Sequence, residues 1–155
     1  MTSSDIEKAI TYYPSSPFYY RRWLVVPNIS WGLNLHECDL LALSSSNCAH
    51  EIEIKVSKSD LKADLGKKHG HRSEKIKCLW FAVPVELKES CEKFCPERAG
   101  IILVSMRPDP DGGLRPIASV FRKAKPSGGR KFGVDERLKM AELGVMRYWS
   151  RRSAS

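Results

Sequence analysis

The sequence lacks several features that would place the protein in a specialised class. It has no run of about 18 or more apolar residues, so no segment could span a membrane as a helix. The opening stretch, MTSSDIEKAI, is acidic and polar where a secretory signal would be basic and then apolar. Internal repeats and low-complexity blocks are also missing. These absences lead us to expect a cytoplasmic protein without membrane contact.

Cysteine is scarce and irregularly spaced, which argues against both a disulfide framework and a zinc module. The five cysteines are an odd number and match no zinc-binding spacing. Zinc could be imagined around His36 with Cys38, or around His69, His71 and Cys78. We expect structural or solvent-facing roles for these residues instead, because neither set has the spacing of a known zinc site.

Acidic residues are outnumbered, since 26 Lys and Arg stand against 18 Asp and Glu and give a net charge of +8. Such an excess suggests a polyanionic partner, of which nucleic acid is the commonest. The chain has 155 residues, of which 42% are apolar and 28% charged. That length and composition predict one globular domain, residues 1–155, with its own hydrophobic core. We therefore expect a DNA-binding domain, with RNA not excluded as partner.

Hydrophobic periodicity predicts a mixed α/β architecture for the first half of the chain. A short helix at about 5–11 is followed by three closely connected strands, RRWLVVP, LHECDLLALSS and HEIEIKVS, which favour an antiparallel meander. In SKSDLKADLGKK, Ser57 and Asp60 have capping-box spacing, and Leu61 and Leu65 recur at i, i+4, as in an amphipathic helix. The apolar run CLWFAVPV then predicts a buried strand and a β-α-β crossover.

The second half continues the alternation of helices and strands. ELKESCEKFC predicts a short helix, and AGIILVSM and IASVFRKA predict strands joined by the turn RPDPDGGLRP. A basic, Gly-rich stretch at about 123–133 predicts a mobile loop, and a C-terminal helix is expected at about 134–150. The sequence thus indicates a mixed β-sheet with helices on both faces, in the order αβββαβ, with its core at about 35–104.

The stretch AHEIEIKVSKSD raises the question of function. Its aliphatic residues alternate with Glu51, Glu53 and Lys55, as in a half-buried strand. On periodicity alone, the polar face favours plain exposure to solvent. Asp39 changes that interpretation, because a charge at the head of the apolar run DLLAL needs a partner or a role.

An antiparallel pairing of these two strands would bring Asp39 and Glu53 to about 5 Å, a distance that one divalent cation can bridge. Two carboxylates are hard oxygen ligands of the kind that Mg²⁺ prefers. Lys55 lies two positions from Glu53 and so shares its face, where an ammonium could orient water and offset negative charge. The backbone carbonyl of Ile54 could be a further metal ligand. This pattern indicates hydrolysis of a phosphodiester.

The ordered stretches ECDLLAL, HEIEIKVSKSDLKADLGK, LWFAVP and AGIILV resemble the PD-(D/E)XK nuclease superfamily, and within it the small MmcB-like DNA-repair proteins. The resemblance covers about residues 35–104. It implies a restriction-endonuclease-like fold and Mg²⁺-dependent (or Mn²⁺-dependent) hydrolysis of DNA. It also implies that Asp39, Glu53 and Lys55 are the catalytic residues, and that Asp39, Glu53 and Ile54 hold the metal.

The chain departs from the superfamily pattern at three positions. Cys38 stands where proline is usual, Leu61 where an aromatic is usual, and Lys68 where tryptophan often follows a lysine. These differences affect packing or substrate contact rather than metal ligands. The superfamily often has an acid on its first helix, for which Glu7 is the candidate here. Glu51 could be an outer acid of the site, although we expect it to be solvated and nearly silent to replacement.

Basic residues near the motifs are candidates for phosphate contact, although a solvated helix end and a free basic loop are their default interpretations. They are Lys58, Lys62, Lys67, Lys68, His69, Arg72, Arg130 and Lys131. The main hypothesis is a metal-dependent DNA endonuclease or repair nuclease, which could be a homodimer in order to cut both strands. The alternatives are a catalytically weak or inactive nucleic-acid-binding protein of the same fold, and a structural protein whose basic surface is incidental.

Overall fold

A six-stranded mixed sheet forms the centre of the protein, in a computed structural model that describes residues 1–64, 66–67 and 70–154. The strands are β1 (Leu24–Ile29), β2 (Cys38–Leu43), β3 (Ala49–Ile54), β4 (Ile76–Pro84), β5 (Gly100–Pro108) and β6 (Leu114–Arg122). They lie side by side in chain order. β1, β2 and β3 pair antiparallel, β3, β4 and β5 pair parallel, and β6 returns antiparallel to β5.

In the described part of the chain, four helices pack around the sheet, which confirms the expected α/β class. They are α1 (Ser3–Thr11), α2 (Lys58–Asp64), α3 (Lys88–Phe94) and α4 (Val134–Ser153), with a 3₁₀ turn at Val85–Leu87 leading into α3. α2 and α3 are the crossovers that the parallel strand pairs require. None of the helices among the described residues has the length together with the apolar character that a bilayer-spanning segment requires.

The two faces of the sheet around β3 are covered by different hydrophobic clusters. Ile52 is fully buried and packs with Ile6 and Ile10 of α1 on one face of the sheet. On the other face, Leu61 of α2 packs against Phe81 of β4. Since neighbours in a strand point to opposite faces, the two glutamates that flank Ile52 point to the α2 side of the sheet.

The start of α2 follows the predicted capping pattern. Ser57 Oγ accepts a hydrogen bond from the backbone N of Asp60 at 3.2 Å. Leu61 is buried beneath the helix as the amphipathic pattern predicts. Leu65, the second member of that pattern, lies outside the described residues. α2 is therefore a short helix that docks on the sheet through few side chains, immediately after β3.

Residues 123–133 form no helix or strand, but they are held to the sheet rather than free, which corrects the expected mobile loop. The backbone N atoms of Ser127, Arg130 and Phe132 donate to the carbonyls of Lys77, Glu74 and Asn47 at 2.7–2.8 Å. Phe132 is buried. A Cβ at Gly129 would lie 2.3 Å from the carbonyl oxygen of Ile76, so this segment approaches the backbone as only glycine permits. It lies at the N-terminal ends of β3 and β4.

Candidate functional site

The structure brings Asp39, Glu53 and Lys55 together at the α2 face of the sheet. The β2–β3 register pairs Leu40 with Ile52, so the next residues along, Asp39 and Glu53, share one face. Lys55 Nζ lies 2.6 Å from Glu53 Oε2 and 3.8 Å from Asp39 Oδ2. One ammonium therefore stands between the two carboxylates that the sequence analysis singled out.

The polar face of β3 is buried, so the interpretation of plain solvent exposure is wrong. Glu51 and Glu53 are 0% and 1% exposed, and Lys55 is 8% exposed. The expectation that Glu51 is solvated fails for the same reason. Alternation predicted a polar face, but α2 and the residues that follow it cover that face. Ionised groups in such a place need partners of opposite charge, because burying an unpaired charge is costly.

Asp64 and Lys67, which follow β3 in the chain, complete the charge cluster. Asp64 was not among the residues predicted for the site. Lys67 Nζ lies 2.9 Å from Glu53 Oε2 and 2.8 Å from Asp64 Oδ1. Lys55 Nζ also lies 3.2 Å from Asp64 Oδ1. The available signal for Asp64 was its position three residues after Leu61, on the sheet-facing side of α2. Lys67, expected at the nucleic acid, is instead bound to the acids, with its side chain 34% exposed.

Two histidines continue the network behind this cluster. His71 is buried and bridges two carboxylates, with Nε2 2.5 Å from Asp64 Oδ2 and Nδ1 2.6 Å from Glu51 Oε1. His36 Nε2 lies 2.8 Å from the same Glu51 oxygen. His71 has a φ of 52°, in the left-handed region, which turns the chain so that its ring enters the core. The two histidines and their carboxylate partners are separated in the sequence, so no short motif predicts that they meet.

Hydrogen bonds and nearby positive charges keep the carboxylates of Glu51 and Asp64 ionised. Burial would raise the pKa of Glu51, but hydrogen bonds from His36 and His71 lower it to about 2. For Asp64, burial is likewise overcome, and the pKa is held well below its usual range by His71 and Lys67. Asp39 behaves in the opposite way, because burial and the nearby Glu53 charge raise its pKa. A cation placed beside Asp39 would relieve that repulsion.

The basic groups are held in their charged forms as well. Burial opposes the ammonium of Lys55, but the Glu53 carboxylate more than compensates and raises the Lys55 pKa. Lys67 is shifted in the same direction, because its bonds to Asp64 and Glu53 outweigh its burial. The pKa of His71 rises to about 9, since its two carboxylate partners overcome the cost of burying an imidazolium.

A cleft of about 250 Å³ opens onto the cluster from solvent. Its lining includes Asp39, Ile54, Lys55, Asp64 and Lys67. The Asp39 side chain is 43% exposed, far more than the side chains of Glu53 and Asp64 at 1% and 6%. Its orientation is set by Ile54, whose backbone N donates to Asp39 Oδ2 at 2.8 Å. Ile54 therefore contacts Asp39 through its backbone amide, whereas its backbone carbonyl was the predicted metal ligand.

Glu7 does not belong to this site, which corrects the assignment drawn from the first helix. α1 packs on the opposite face of the sheet, where its neighbour Ile6 lies in the cluster around Ile52. The Glu7 carboxylate accepts from Arg151 of α4, at 3.2 Å from Nη1. Glu7 therefore links α1 to the C-terminal part of α4 and makes no described contact with Glu53.

The predicted phosphate-binding residues other than Lys67 divide into three groups. Lys58 and Lys62 are exposed on α2, the helix that borders the cleft, and Arg72 is exposed in the segment before β4. Arg130 and Lys131 lie instead at the N-terminal ends of β3 and β4, away from Glu53, and Arg130 is paired with the Glu136 carboxylate. Lys68 and His69 lie outside the described residues. Of the exposed cations, Lys58 and Lys62 are therefore on an element that borders the cleft.

Among the described residues, two sets of three side chains could hold a metal ion. They are Glu53 with Asp64 and His71, and His36 with Glu51 and His71, and in each set the ligand atoms lie within 4.8 Å of one another. In the first set, the ammonium groups of Lys55 and Lys67 already bind the two carboxylates. In the second, the only ion pairs in the described contacts of Glu51 are those with the two histidines.

Comparison with known proteins yields a likeness of fold alone. No family model matches the sequence, and no curated protein matches it. Among solved structures, the chain is similar to the SPO1766 protein of unknown function from Silicibacter pomeroyi. The two share 18% sequence identity with a TM-score of 0.57, over 87% of this chain and 80% of the other. Function must therefore be argued from the site.

Proposed function

We propose that this protein is a Mg²⁺-dependent (or Mn²⁺-dependent) nuclease that hydrolyses phosphodiester bonds in DNA. The observation that carries the proposal is the position of Lys55, whose ammonium stands between the facing carboxylates of Asp39 and Glu53 at the floor of an open cleft. The resemblance of the ordered motifs to PD-(D/E)XK nucleases points to the same three residues.

The donor set fits a hard divalent cation. Asp39 and Glu53 supply carboxylate oxygens, which Mg²⁺ and Mn²⁺ prefer over nitrogen or sulfur. Glu53 Oε1 is buried and has no hydrogen-bond partner among the described residues. An acceptor in that state gains from a cation, because a buried unsatisfied carboxylate oxygen is costly. Asp39 and Glu53 would hold the ion, and a bound Mg²⁺ supplies a polarised phosphate oxygen and a water of lowered pKa.

The chain's own groups would stabilise the charge that develops on the phosphate. Lys55 is held as a buried ammonium by its contact with Glu53, so its charge is fixed in place before a substrate arrives. Lys67 brings a second ammonium to the same Glu53 oxygen and remains partly exposed to the cleft. Ile54 fixes Asp39 through its amide. Lys58 and Lys62 would hold flanking phosphates, as exposed cations on the helix that borders the cleft.

One observation favours the alternative of a catalytically weak or inactive DNA-binding protein. Both ammonium groups already bind the acids, and Asp64 shares them with Glu53, so the cluster is largely neutralised without a metal. For the nuclease, cation binding must compete with these ion pairs. For the binding protein, the same ion pairs would be a purely structural part of the core.

A cleavage screen separates the two functions. The purified full chain is incubated with single-stranded, duplex, flap and junction DNA in Mg²⁺, in Mn²⁺ and in EDTA. We expect cleavage of at least one substrate that requires the metal and disappears in EDTA. DNA binding without cleavage of any substrate in either metal would reject the nuclease and leave the binding protein.

We also propose that the protein is cytoplasmic and that it acts as a dimer when it cuts both strands of a duplex. All five cysteines are free thiols, buried in the structure, which supports a reducing cytoplasmic compartment. Cleavage of both strands of a duplex would call for two copies of the chain, since each copy carries one such cleft in the described residues. Sedimentation of the protein with and without duplex DNA tests whether two copies assemble.

A further inference from the structure

A second cluster lies behind the cleft and is not used by the proposed reaction. His36 precedes β2, Glu51 lies within β3, and His71 precedes β4, so three separate parts of the chain meet here. The side chains of Glu51 and His71 are 0% and 3% exposed, and that of His36 is 12% exposed. Of these three side chains, His36 is the most exposed.

We infer that His36, Glu51 and His71 form a binding site for a divalent transition-metal ion, with Zn²⁺ as the ion it would take. Two imidazole nitrogens and one carboxylate oxygen are a donor set that suits zinc, whereas Mg²⁺ prefers oxygen alone. The inference goes beyond the proposed nuclease activity and does not depend on it.

The ligand atoms of the cluster lie at hydrogen-bond distances, slightly closer together than around a metal ion. His36 Nε2 and His71 Nδ1 lie 2.8 Å and 2.6 Å from the same Glu51 oxygen. Around zinc, with bonds of about 2.0–2.2 Å in tetrahedral geometry, ligand atoms lie roughly 3.3–3.5 Å apart. An ion would therefore fit if the three side chains moved apart by less than about 1 Å. It would replace the proton that His71 Nδ1 shares with Glu51, and that proton would be released to solvent.

Glu51 carries a separate sign that a ligand belongs here. Its second oxygen, Oε2, is buried and has no hydrogen-bond partner among the described residues. A buried carboxylate oxygen without a partner is destabilising in a protein that uses the cluster only for hydrogen bonding. A bound cation would satisfy that oxygen, either directly or through a coordinated water.

Asp64 stands where an outer-shell carboxylate would stand in such a site. His71 contacts Glu51 through Nδ1 and Asp64 through Nε2, at 2.5 Å. Metal-binding histidines commonly donate their other ring N–H to a carboxylate, which fixes the orientation of the ring. Asp64 also pairs with Lys55 and Lys67, so an ion bound to His71 would help to fix the orientation of an acid that lines the cleft.

The test is metal binding by the full chain, measured without any assay of cleavage. The protein is stripped with a chelator and titrated with Co²⁺, whose visible absorption reports coordination, and then with Zn²⁺ in competition. Bound metal is counted by elemental analysis after gel filtration. The titrations are carried out in excess Mg²⁺, which competes for the oxygen-only site at Asp39 and Glu53. Under these conditions we expect one Co²⁺ per chain, displaced by one Zn²⁺, and a higher melting temperature with Zn²⁺ than without it.

Four variants locate the ion. His36→Gln, at the solvent edge of the cluster, should weaken Co²⁺ binding about 100-fold or more, and Asp64→Asn about 10- to 100-fold. His50→Gln removes a histidine of β3 that contacts Trp80 on the opposite face of the sheet, and it should leave binding unchanged. Asp39→Asn should also leave it unchanged, which separates this site from the proposed nuclease site.

Two results would overturn the inference. One is a wild-type chain that retains no Co²⁺ or Zn²⁺, in which case the cluster is a hydrogen-bonded network. The other is equal binding by the wild type and His36→Gln, which would place the ion elsewhere. His36→Gln decides the matter because His36 is the least buried of the three, and circular dichroism verifies its folding.

Discussion

Lys55 is the residue on which the two interpretations of the β3 polar face differ most. A solvated lysine would contribute little to folding or function, but this one is 8% exposed and lies within 4 Å of Asp39, Glu53 and Asp64. Its removal therefore affects stability as well as chemistry. We expect Lys55→Ala to lower the free energy of unfolding, because the acids of the cluster would lose a buried partner.

The prediction at the residue scale uses Lys55→Met, which preserves the length of the buried side chain while removing the charge. We expect metal-dependent cleavage to fall about 10²-fold or more, as when one preorganised charge at the transition state is lost. We also expect the free energy of unfolding to fall by about 3 kcal/mol, because the acids lose a buried partner. Single-turnover cleavage and urea unfolding measure the two effects.

Lys123→Met is the matched control, because Lys123 is exposed and lies in the segment at the other end of the sheet. Lys123→Met should change neither the cleavage rate nor the free energy of unfolding. A Lys55→Met protein that loses stability but cleaves at the wild-type rate would show that Lys55 is only a structural counter-ion.

At the scale of elements, α4 depends on Glu136 for its first turn. The Glu136 carboxylate accepts hydrogen bonds from Arg130 at 2.7 and 2.8 Å and from the backbone N of Gly133 at 2.9 Å, and Lys75 Nζ lies 3.2 Å away. These partners, Arg130 first, lower the pKa of Glu136 to about 2. The helix start is thereby tied to the segment that follows β6 and to β4.

The lowered pKa sets the pH at which this contribution is lost. Because the folded pKa is below the ordinary 4.5, the stabilisation is present above about pH 4.5 and disappears as pH falls toward 2. Glu136→Gln should cost about 1 kcal/mol at pH 7 and little at about pH 2. Urea unfolding at the two pH values measures this. Glu142→Gln, at an exposed position of α4, should show no such pH-dependent difference; equal losses from both variants would contradict the assignment.

The elements themselves were largely predictable, while their contacts were not. Period-2 alternation indicated β3, capping at Ser57 indicated α2, and the apolar run indicated β4, because those signals are local. The burial of Glu51 was hidden, since its partners His36 and His71 come from distant parts of the chain. Residues 123–133 looked mobile from composition, because hydrogen bonds between backbone atoms leave no mark in the residue types.

At the scale of the whole molecule, the net charge of +8 predicts a DNA affinity that falls steeply with salt. The proposed function would place part of that affinity on Lys58 and Lys62, which are exposed on the helix that borders the cleft. Replacing both by alanine should weaken binding and reduce the slope of log affinity against log salt by about 2. Fluorescence anisotropy between low and moderate salt measures it.

The matched control is the pair Lys123 and Lys131, which are exposed at the far end of the sheet. Replacing both by alanine removes the same charge and should leave the slope unchanged. Equal effects from the two pairs would mean that DNA binds without regard to the cleft. Binding indifferent to salt would favour a protein whose basic surface is incidental.

The central claim is that Asp39 and Glu53 hold a catalytic divalent cation, and the most direct measurement is single-turnover DNA cleavage over a Mg²⁺ titration by the wild type and Asp39→Asn. Asp111→Asn in the exposed β5–β6 turn, and Glu7→Gln on the opposite face, serve as controls. The account predicts that Asp39→Asn cleaves about 10²-fold more slowly or worse even in saturating Mg²⁺, while both controls match the wild type. Cleavage by Asp39→Asn at the wild-type rate, with the same Mg²⁺ dependence, would contradict it.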